Sequence, residues 1–163
     1  MREVKPASFI YEIANALPGD VCREMVRRFE ANLEQQYAGR IGQAGTEEAS
    51  IKKTTDLRIS GRQDWKDIDA FLMQSLSKQF SAIAQMFPFF TANRFKDLGY
   101  NLQRYREGEY YHWQVDGGPG EFSQRQLVAI YFTPCSTVTA RCGCVQKGGN
   151  STSLPSSGFT LIF

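Results

Sequence analysis

The chain has 163 residues, 42% of them hydrophobic, which favours one globular domain over residues 1–163 with a sizeable core. Its net charge of +2 comes from Lys and Arg mixed with Asp and Glu, so no dense basic patch indicates a nucleic-acid partner. Because no run reaches the roughly 18 apolar residues of a membrane span and the first residues lack the apolar centre of a signal peptide, we expect a cytoplasmic protein without a membrane partner.

Two amphipathic helices are predicted in the first half of the chain. Asp20 is expected to cap the first helix, whose apolar positions recur every four residues at Val21, Met25, Phe29 and Leu33. Residues 54–60 then predict a short strand. The second helix ends before Pro88, and its apolar positions step by three or four along Trp65, Ile68, Leu72, Leu76, Phe80, Ile83 and Phe87.

From Asp97 onward the hydrophobic period changes to two. The segments "GYNLQRY", "YYHWQVD" and "RQLVAIYF" are rich in aromatic and β-branched residues, which predicts three successive strands. Residues 127–132 are apolar on both faces, so we expect them inside the sheet. Two helices followed by strands predict an α+β fold with helices on one face of a mainly antiparallel sheet or barrel.

The end of the chain differs in composition from the rest. No Asp or Glu occurs from Phe122 to Phe163, and residues 133–158 form an atypical segment rich in Cys, Ser and Thr. A local frame disruption or a fragmentary gene product would produce this pattern. A zinc site is an alternative for Cys135, Cys142 and Cys144, although structural zinc usually needs four ligands.

The segment "RYREGEYYHWQVDGG" carries the pattern that points to chemistry. Residues two apart in a strand share a face, so a His-x-Asp pair can place an imidazole and a carboxylate on one metal. A second histidine completes a facial triad that leaves open positions on Fe(II). Here Asp116 is present and Gln114 takes the histidine position. The plainer alternative is an aromatic strand that ends in an Asp-Gly turn.

The spacing of Tyr105, Gly108, Tyr111, Gln114 and Asp116 resembles a known strand motif. It is similar to the Tyr-x-x-Gly-x-x-Tyr-x-x-His-x-Asp strand of the prolyl 4-hydroxylase-like branch of the Fe(II)- and 2-oxoglutarate-dependent dioxygenases, and four of the five positions match. With "DLGYNLQRY" before the motif, "RQLVAIYF" after it and a long helix ahead, the resemblance covers roughly residues 17–132.

This resemblance implies a fold, cofactors and site residues. The fold would be α+β with a double-stranded β-helix (jelly-roll) core, incomplete at the C-terminus, and supporting helices at the N-terminus. Asp116 would bind iron, Gln114 would stand at the position of the ligand histidine, and Tyr105 would line the 2-oxoglutarate pocket. The implied activity is Fe(II)- and 2-oxoglutarate-dependent hydroxylation of a protein or peptide side chain, with ascorbate as a further cofactor.

Three departures from the family pattern bear on activity. The carbonyl oxygen of Gln114 is a weaker donor for Fe(II) than imidazole. His112, the single histidine of the chain, is a possible rescue ligand, but four strand residues span roughly 13 Å, so it reaches the metal of Asp116 only across a bulge. The resemblance places the distal histidine and the basic residue that anchors the cosubstrate beyond Phe163. The alternative function is a non-catalytic jelly-roll module that binds a partner.

Overall fold

The computed structural model describes residues 1–42, 44–91, 96–114, 116, 119–120, 123, 127–133 and 158–162. The helices are α1 (Gly19–Ala31) and α2 (Lys66–Met86), and short 3₁₀ turns lie at Leu33–Gln35, Gln63–Trp65 and Pro88–Thr91. The strands are β1 (Arg2–Glu3), β2 (Tyr11–Glu12), β3 (Tyr37–Ala38), β4 (Lys52–Lys53), β5 (Thr55–Arg58), β6 (Asn101–Tyr105), β7 (Tyr110–Tyr111), β8 (Ile130–Thr133) and β9 (Gly158–Ile162).

No helix of the described ranges is long and apolar enough to cross a membrane. The cytoplasmic location stays a prediction. Most of the atypical Cys/Ser/Thr-rich segment, residues 134–157 with Cys135, Cys142 and Cys144, lies outside the described residues.

Helix α1 forms close to where the sequence predicts it. Pro18 occupies the cap position in an extended conformation (φ −62°, ψ 145°), so Asp20 lies in the first turn and the prediction of Asp20 as the cap is wrong. In that turn the carboxylate still meets the positive end of the helix dipole. Met25 and Phe29 are fully buried, whereas Leu33 lies beyond the helix and is 66% exposed. The apolar stripe therefore ends with α1.

Helix α2 also confirms its predicted periodicity. Trp65 is buried just ahead of it, Ile68 and Leu72 are buried in its first half, and Leu76 packs against the same core. The stripe is only half-buried at Phe80 and Ile83. The helix ends at Met86 with Phe87 as its cap, one residue before Pro88, because proline cannot continue the backbone hydrogen-bond pattern.

The strands form one larger sheet and two small ladders. The larger sheet has the order β3-β5-β6-β9-β8, with every neighbouring pair antiparallel. The ladders β1–β2 and β4–β7 are antiparallel too. Two helices with antiparallel sheets confirm the α+β prediction. The three successive strands predicted in the second half are present in chain order as β6, β7 and β8. In space they are not neighbours, because β9 lies between β6 and β8 and β7 pairs with β4.

Two of the predicted strands are shorter than the sequence indicates. The strand expected over residues 110–116 ends at Tyr111. It pairs with β4 of the same chain, and the segment before β4 turns at residues 48–51, where Ile51 and Lys52 donate backbone hydrogen bonds to the Glu48 carbonyl. In residues 127–132 the strand begins only at Ile130, and β8 is the last strand on its side of the described sheet. Ile130 is 37% exposed, which corrects the expectation of an interior strand.

The larger sheet separates an apolar face from a polar one. Leu57 of β5 and Leu102 of β6 join the buried core together with the helix residues Met25, Phe29, Trp65, Ile68 and Leu72. Arg104 points to this side as well: its Nη1 donates to both carboxylate oxygens of Glu30, at 3.0 and 2.9 Å, and its guanidinium lies 5.2 Å from the Phe29 ring centroid. Since side chains alternate along a strand, the intervening residues face the other way.

A corner in the chain folds a second ladder beside the polar face. Only Thr54 separates β4 from β5, yet β5 pairs with β6 and β4 pairs with β7. Thr55 pairs with Arg104 and Lys53 pairs with Tyr110, so the single residue Thr54 lies opposite the five residues 105–109, which leaves four residues inserted on one strand. Such an insertion bends the strand that carries it. The polar side chains beside Thr54 are thereby enclosed.

Candidate functional site

A buried carboxylate lies at the centre of the polar face. Asp56 of β5 is 1% exposed and accepts hydrogen bonds from four side chains. Its Oδ2 accepts from Lys52 Nζ at 2.7 Å, Gln103 Nε2 at 3.1 Å and Asn101 Nδ2 at 3.2 Å, and its Oδ1 accepts from Thr54 Oγ1 at 2.7 Å. We call these five residues the Asp56 cluster.

The pairing of charges explains how the Asp56 cluster can be buried. An isolated ionised carboxylate loses its hydration in a protein interior at a cost that only a counter-charge and several hydrogen bonds offset. Lys52 supplies the counter-charge and is itself 4% exposed. Its Nζ also lies 4.8 Å from the centroid of the Tyr111 ring, a cation–π distance that ties β7 to the cluster.

Close backbone contact completes this packing. Gly39 follows β3, and its amide donates to the Thr54 carbonyl at 3.0 Å. A Cβ atom on Gly39 would lie 2.1 Å from Thr54 Oγ1 and 2.8 Å from Lys52 Cε. Only a residue without a side chain therefore fits beside the cluster as it is packed.

Two tyrosines extend the hydrogen-bonded network on the polar face. The Tyr105 hydroxyl donates to Gln103 Oε1 at 3.1 Å, and the Tyr37 hydroxyl donates to Asn101 Oδ1 at 3.0 Å. Burial, followed by the negative charge of Asp56, raises the pKa of both phenols above its ordinary value. Both hydroxyls therefore stay protonated at neutral pH and serve as hydrogen-bond donors. Tyr105, predicted to line a cosubstrate pocket, belongs to this network.

The predicted metal ligands lie after the short strand β7. Gln114 Nε2 donates to Asp116 Oδ1 at 3.3 Å, so these two side chains are brought together. The backbone amide of His112 donates to the Ile51 carbonyl at 2.9 Å, and its ring lies 4.9 Å from the Tyr110 ring. Between them the Trp113 side chain is 71% exposed. His112 and Gln114 are thus exposed beyond the end of β7, and Asp116 is half-buried.

The residues present do not fit a three-ligand iron site. Among the described residues, no three His, Cys, Asp or Glu side chains are grouped so that they could hold a metal ion. The 163 residues contain a single histidine, and Gln114 directs an amide N–H at the carboxylate that a metal would need. Facial binding of Fe(II) requires two imidazoles and a carboxylate on one ion.

The Asp56 cluster also does not fit an anionic cosubstrate. Lys52, the cation of the Asp56 cluster, is already paired with Asp56. The amide N–H groups of Asn101 and Gln103 are directed at the same carboxylate. A 2-oxoglutarate carboxylate placed there would meet a resident negative charge, and like charges repel strongly in a water-poor site.

Sequence reasoning selected Tyr105 for a cosubstrate pocket, a role that stays a prediction, and missed the cluster next to it. The signal for Asp56 was present but weak: in residues 54–60 the polar Thr54 and Asp56 alternate with the apolar Leu57 and Ile59. Period-two alternation normally indicates a solvent-facing side. No pattern in the sequence indicates that the corner at Thr54 brings Lys52 back over that face.

Comparison with protein-family models, with curated proteins and with solved structures finds no match for this chain. The resemblance to the dioxygenases therefore rests on the motif residues quoted from the sequence.

Proposed function

We propose that this chain is a dioxygenase-like domain that acts as a non-catalytic binding module. The observation that carries the proposal is the 3.3 Å contact from Gln114 Nε2 to Asp116 Oδ1. An amide N–H held at a carboxylate satisfies one of the oxygens that would otherwise bind a metal. The glutamine thus converts a metal-ligand pair into a hydrogen-bonded pair of an amide and a carboxylate.

The finer fold assignment belongs to the same proposal. A double-stranded β-helix, or jelly roll, is built from two sheets whose inner faces enclose a site. The corner at Thr54, where β4 leaves the larger sheet and pairs with β7, supports such an arrangement because it sets a second ladder beside the polar face. Strands that change sheets at bends are how such corners are made.

The partner of this module would be a protein or peptide. Trp113 supports this, because its side chain is 71% exposed and stands next to the Gln114–Asp116 pair. Tryptophan is among the residues that contribute most to protein interfaces. Affinity selection of peptides on the intact chain, repeated with Trp113→Ala, tests this part: peptides that bind both forms equally would exclude Trp113 from the interface.

The second candidate is an active Fe(II)- and 2-oxoglutarate-dependent dioxygenase. Two ligand positions, Gln114 and Asp116, are adjacent, and Tyr105 lies on the polar face. A Gln114 side chain turned through 180° would offer its carbonyl oxygen in place of its N–H. This candidate requires that the missing ligands come from residues outside those described.

The two candidates differ in one measurement, the Fe(II)-dependent conversion of 2-oxoglutarate to succinate. The chain, Gln114→His and Asp116→Ala are compared under the same conditions. We expect no succinate above the protein-free background from any of the three. Turnover by the chain that Asp116→Ala abolishes would overturn the non-catalytic proposal. Turnover by Gln114→His alone would identify the glutamine as the single lesion.

A further inference from the structure

We infer that the Asp56 cluster is a carboxylate-binding site whose ligand is the chain's own Asp56. Four donors converge on that carboxylate, and they comprise one ammonium, one hydroxyl and two amides, from Lys52, Thr54, Gln103 and Asn101. This is the donor chemistry by which proteins recognise the carboxylate of a small molecule. When the Asp56 side chain is removed by mutation, the ligands expected in this site are therefore small carboxylates, such as formate or acetate.

The donors come from two separate stretches of chain. Lys52 and Thr54 precede Asp56 at the corner, whereas Asn101 and Gln103 project from β6 across the ladder. Each amide is oriented by a second bond, since the Tyr105 hydroxyl donates to Gln103 Oε1 and the Tyr37 hydroxyl donates to Asn101 Oδ1. With the amide oxygens held in this way, the amide N–H groups are directed at Asp56. The site is thus preorganised around the carboxylate by groups other than Asp56 itself.

Burial distinguishes this arrangement from a surface ion pair. The side chains of Lys52 and Asp56 are 3% and 2% exposed, and Gln103 is 3% exposed. Removing the carboxylate alone would leave a cation and three hydrogen-bond donors facing a closed space of the carboxylate's size. Buried polar groups left in this state are costly, so an anion that fits is bound favourably.

While Asp56 fills the site of the intact chain, Lys52 is paired with it and is not available to an external dicarboxylate. We therefore expect titration calorimetry to show no 2-oxoglutarate binding that depends on Lys52; only the choice of this dicarboxylate rests on the proposed function. Saturable, iron-independent binding of 2-oxoglutarate that Lys52→Met abolishes would overturn the inference.

Chemical rescue tests the inference directly. Asp56→Ala keeps the Cβ atom and removes the carboxylate, a loss that formate replaces. Asp56→Gly removes the Cβ as well, a loss that acetate replaces. We expect each variant to unfold about 10 °C below the parent chain. Its thermal midpoint should then rise with the logarithm of the concentration of the matching anion, compared with chloride at equal ionic strength.

The size match between anion and variant is the specific readout. Formate should stabilise Asp56→Ala more than acetate does, and the order should reverse in Asp56→Gly. The control is Asp64→Ala, because Asp64 is an exposed acid that accepts a hydrogen bond from Gln35, outside the cluster. Equal responses of all three variants would show a general salt effect and overturn the inference.

A variant that does not fold in chloride still gives a result. Each variant is unfolded in urea and diluted into formate, acetate or chloride, and the yield of soluble, folded protein is measured. We expect folded Asp56→Ala to be recovered best in formate. No anion-dependent recovery for either variant would overturn the inference. The succinate assay has a separate readout, so failure here and failure of the proposed function are distinguishable.

Discussion

Individual residues in this protein are constrained most strongly around Asp56. The carboxylate is buried with its counter-ion, and four donors satisfy it. Replacing one member of such a group leaves the others buried without their partner, which is why buried networks tolerate single changes poorly. The polar face therefore owes its order to a small number of short contacts, and each can be tested separately.

Gly39 offers a steric test of the same packing. The change Gly39→Ala would place a Cβ atom 2.1 Å from Thr54 Oγ1 and 2.8 Å from Lys52 Cε. Because both neighbours are held by Asp56, they cannot move without breaking a hydrogen bond. We expect the free energy of unfolding in urea to fall by about 1–3 kcal/mol.

Gly19 supplies the matched control for this change. It lies in the first turn of α1, and a Cβ there would meet only the end of the flexible Arg23 side chain, at 3.3 Å. Alanine also favours helix over glycine by up to about 1 kcal/mol. We therefore expect Gly19→Ala to leave stability unchanged or raised. A Gly39→Ala chain as stable as Gly19→Ala would contradict the packing described for the Asp56 cluster.

At the scale of elements, Arg28 joins the two helices. From α1 its guanidinium donates to Glu24 at 2.8 Å and to both carboxylate oxygens of Asp67 in α2 at 2.7 Å. It also lies 5.8 Å from the Trp65 ring centroid. The hydrogen bond from Arg28 lowers the pKa of Asp67 to about 2, and those from Arg27 and Arg28 lower the pKa of Glu24 to about 2.

This link predicts how stability changes in acid. Both carboxyls have lower pKa values folded than their ordinary 3.8 and 4.5, so their stabilisation is present above those ordinary values. It is lost as pH falls toward about 2, where the folded groups take up protons. We expect the urea concentration at the unfolding midpoint to fall as the pH is lowered from 4.5 to about 2, and to fall less in Asp67→Asn. Glu34→Gln, outside the network, is the control.

Salt provides the check on this interpretation. Asp67 is 62% and Glu24 35% exposed at the side chain, so counter-ions screen their pairing with arginine. The difference in acid sensitivity between the chain and Asp67→Asn should shrink in high salt. If the chain and Asp67→Asn were equally sensitive to acid at low salt, the result would contradict the role of Arg28 in joining α1 to α2.

Elements were predictable from the sequence where they depend on local pattern. The stripe of α1 through Met25 and Phe29 gave a correct helix, because every fourth residue meets the same core. The prediction of a strand over residues 110–116 was wrong in length, because the strand extends only as far as its pairing segment, which turns after Glu48. That information lies about sixty residues away and has no local signature. The Asp56 cluster escaped prediction for the same reason.

At the scale of the whole molecule, both faces of the larger sheet depend on contacts between distant segments. The core joins α1, α2, β5 and β6, and Arg104 adds an ion pair with Glu30. The polar face joins β5 and β6 to the corner that carries Lys52. Neither helix can bury its apolar stripe alone, because most of the stability of a helix in a protein comes from packing an amphipathic face against other elements. The parts should therefore fold together.

The two tryptophans allow a test of the single domain predicted for residues 1–163. Trp65 is fully buried between the helices and the sheet, whereas Trp113 is 71% exposed. The substitution Trp113→Phe removes the exposed one of the two tryptophans, so the remaining tryptophan fluorescence comes from Trp65 in the core. We expect Trp65 fluorescence and far-UV circular dichroism to follow one urea transition with the same midpoint. Circular dichroism reports mainly α1 and α2, and fluorescence reports their contact with the sheet. Separate midpoints would mean that helices persist without the core, and would contradict the single domain.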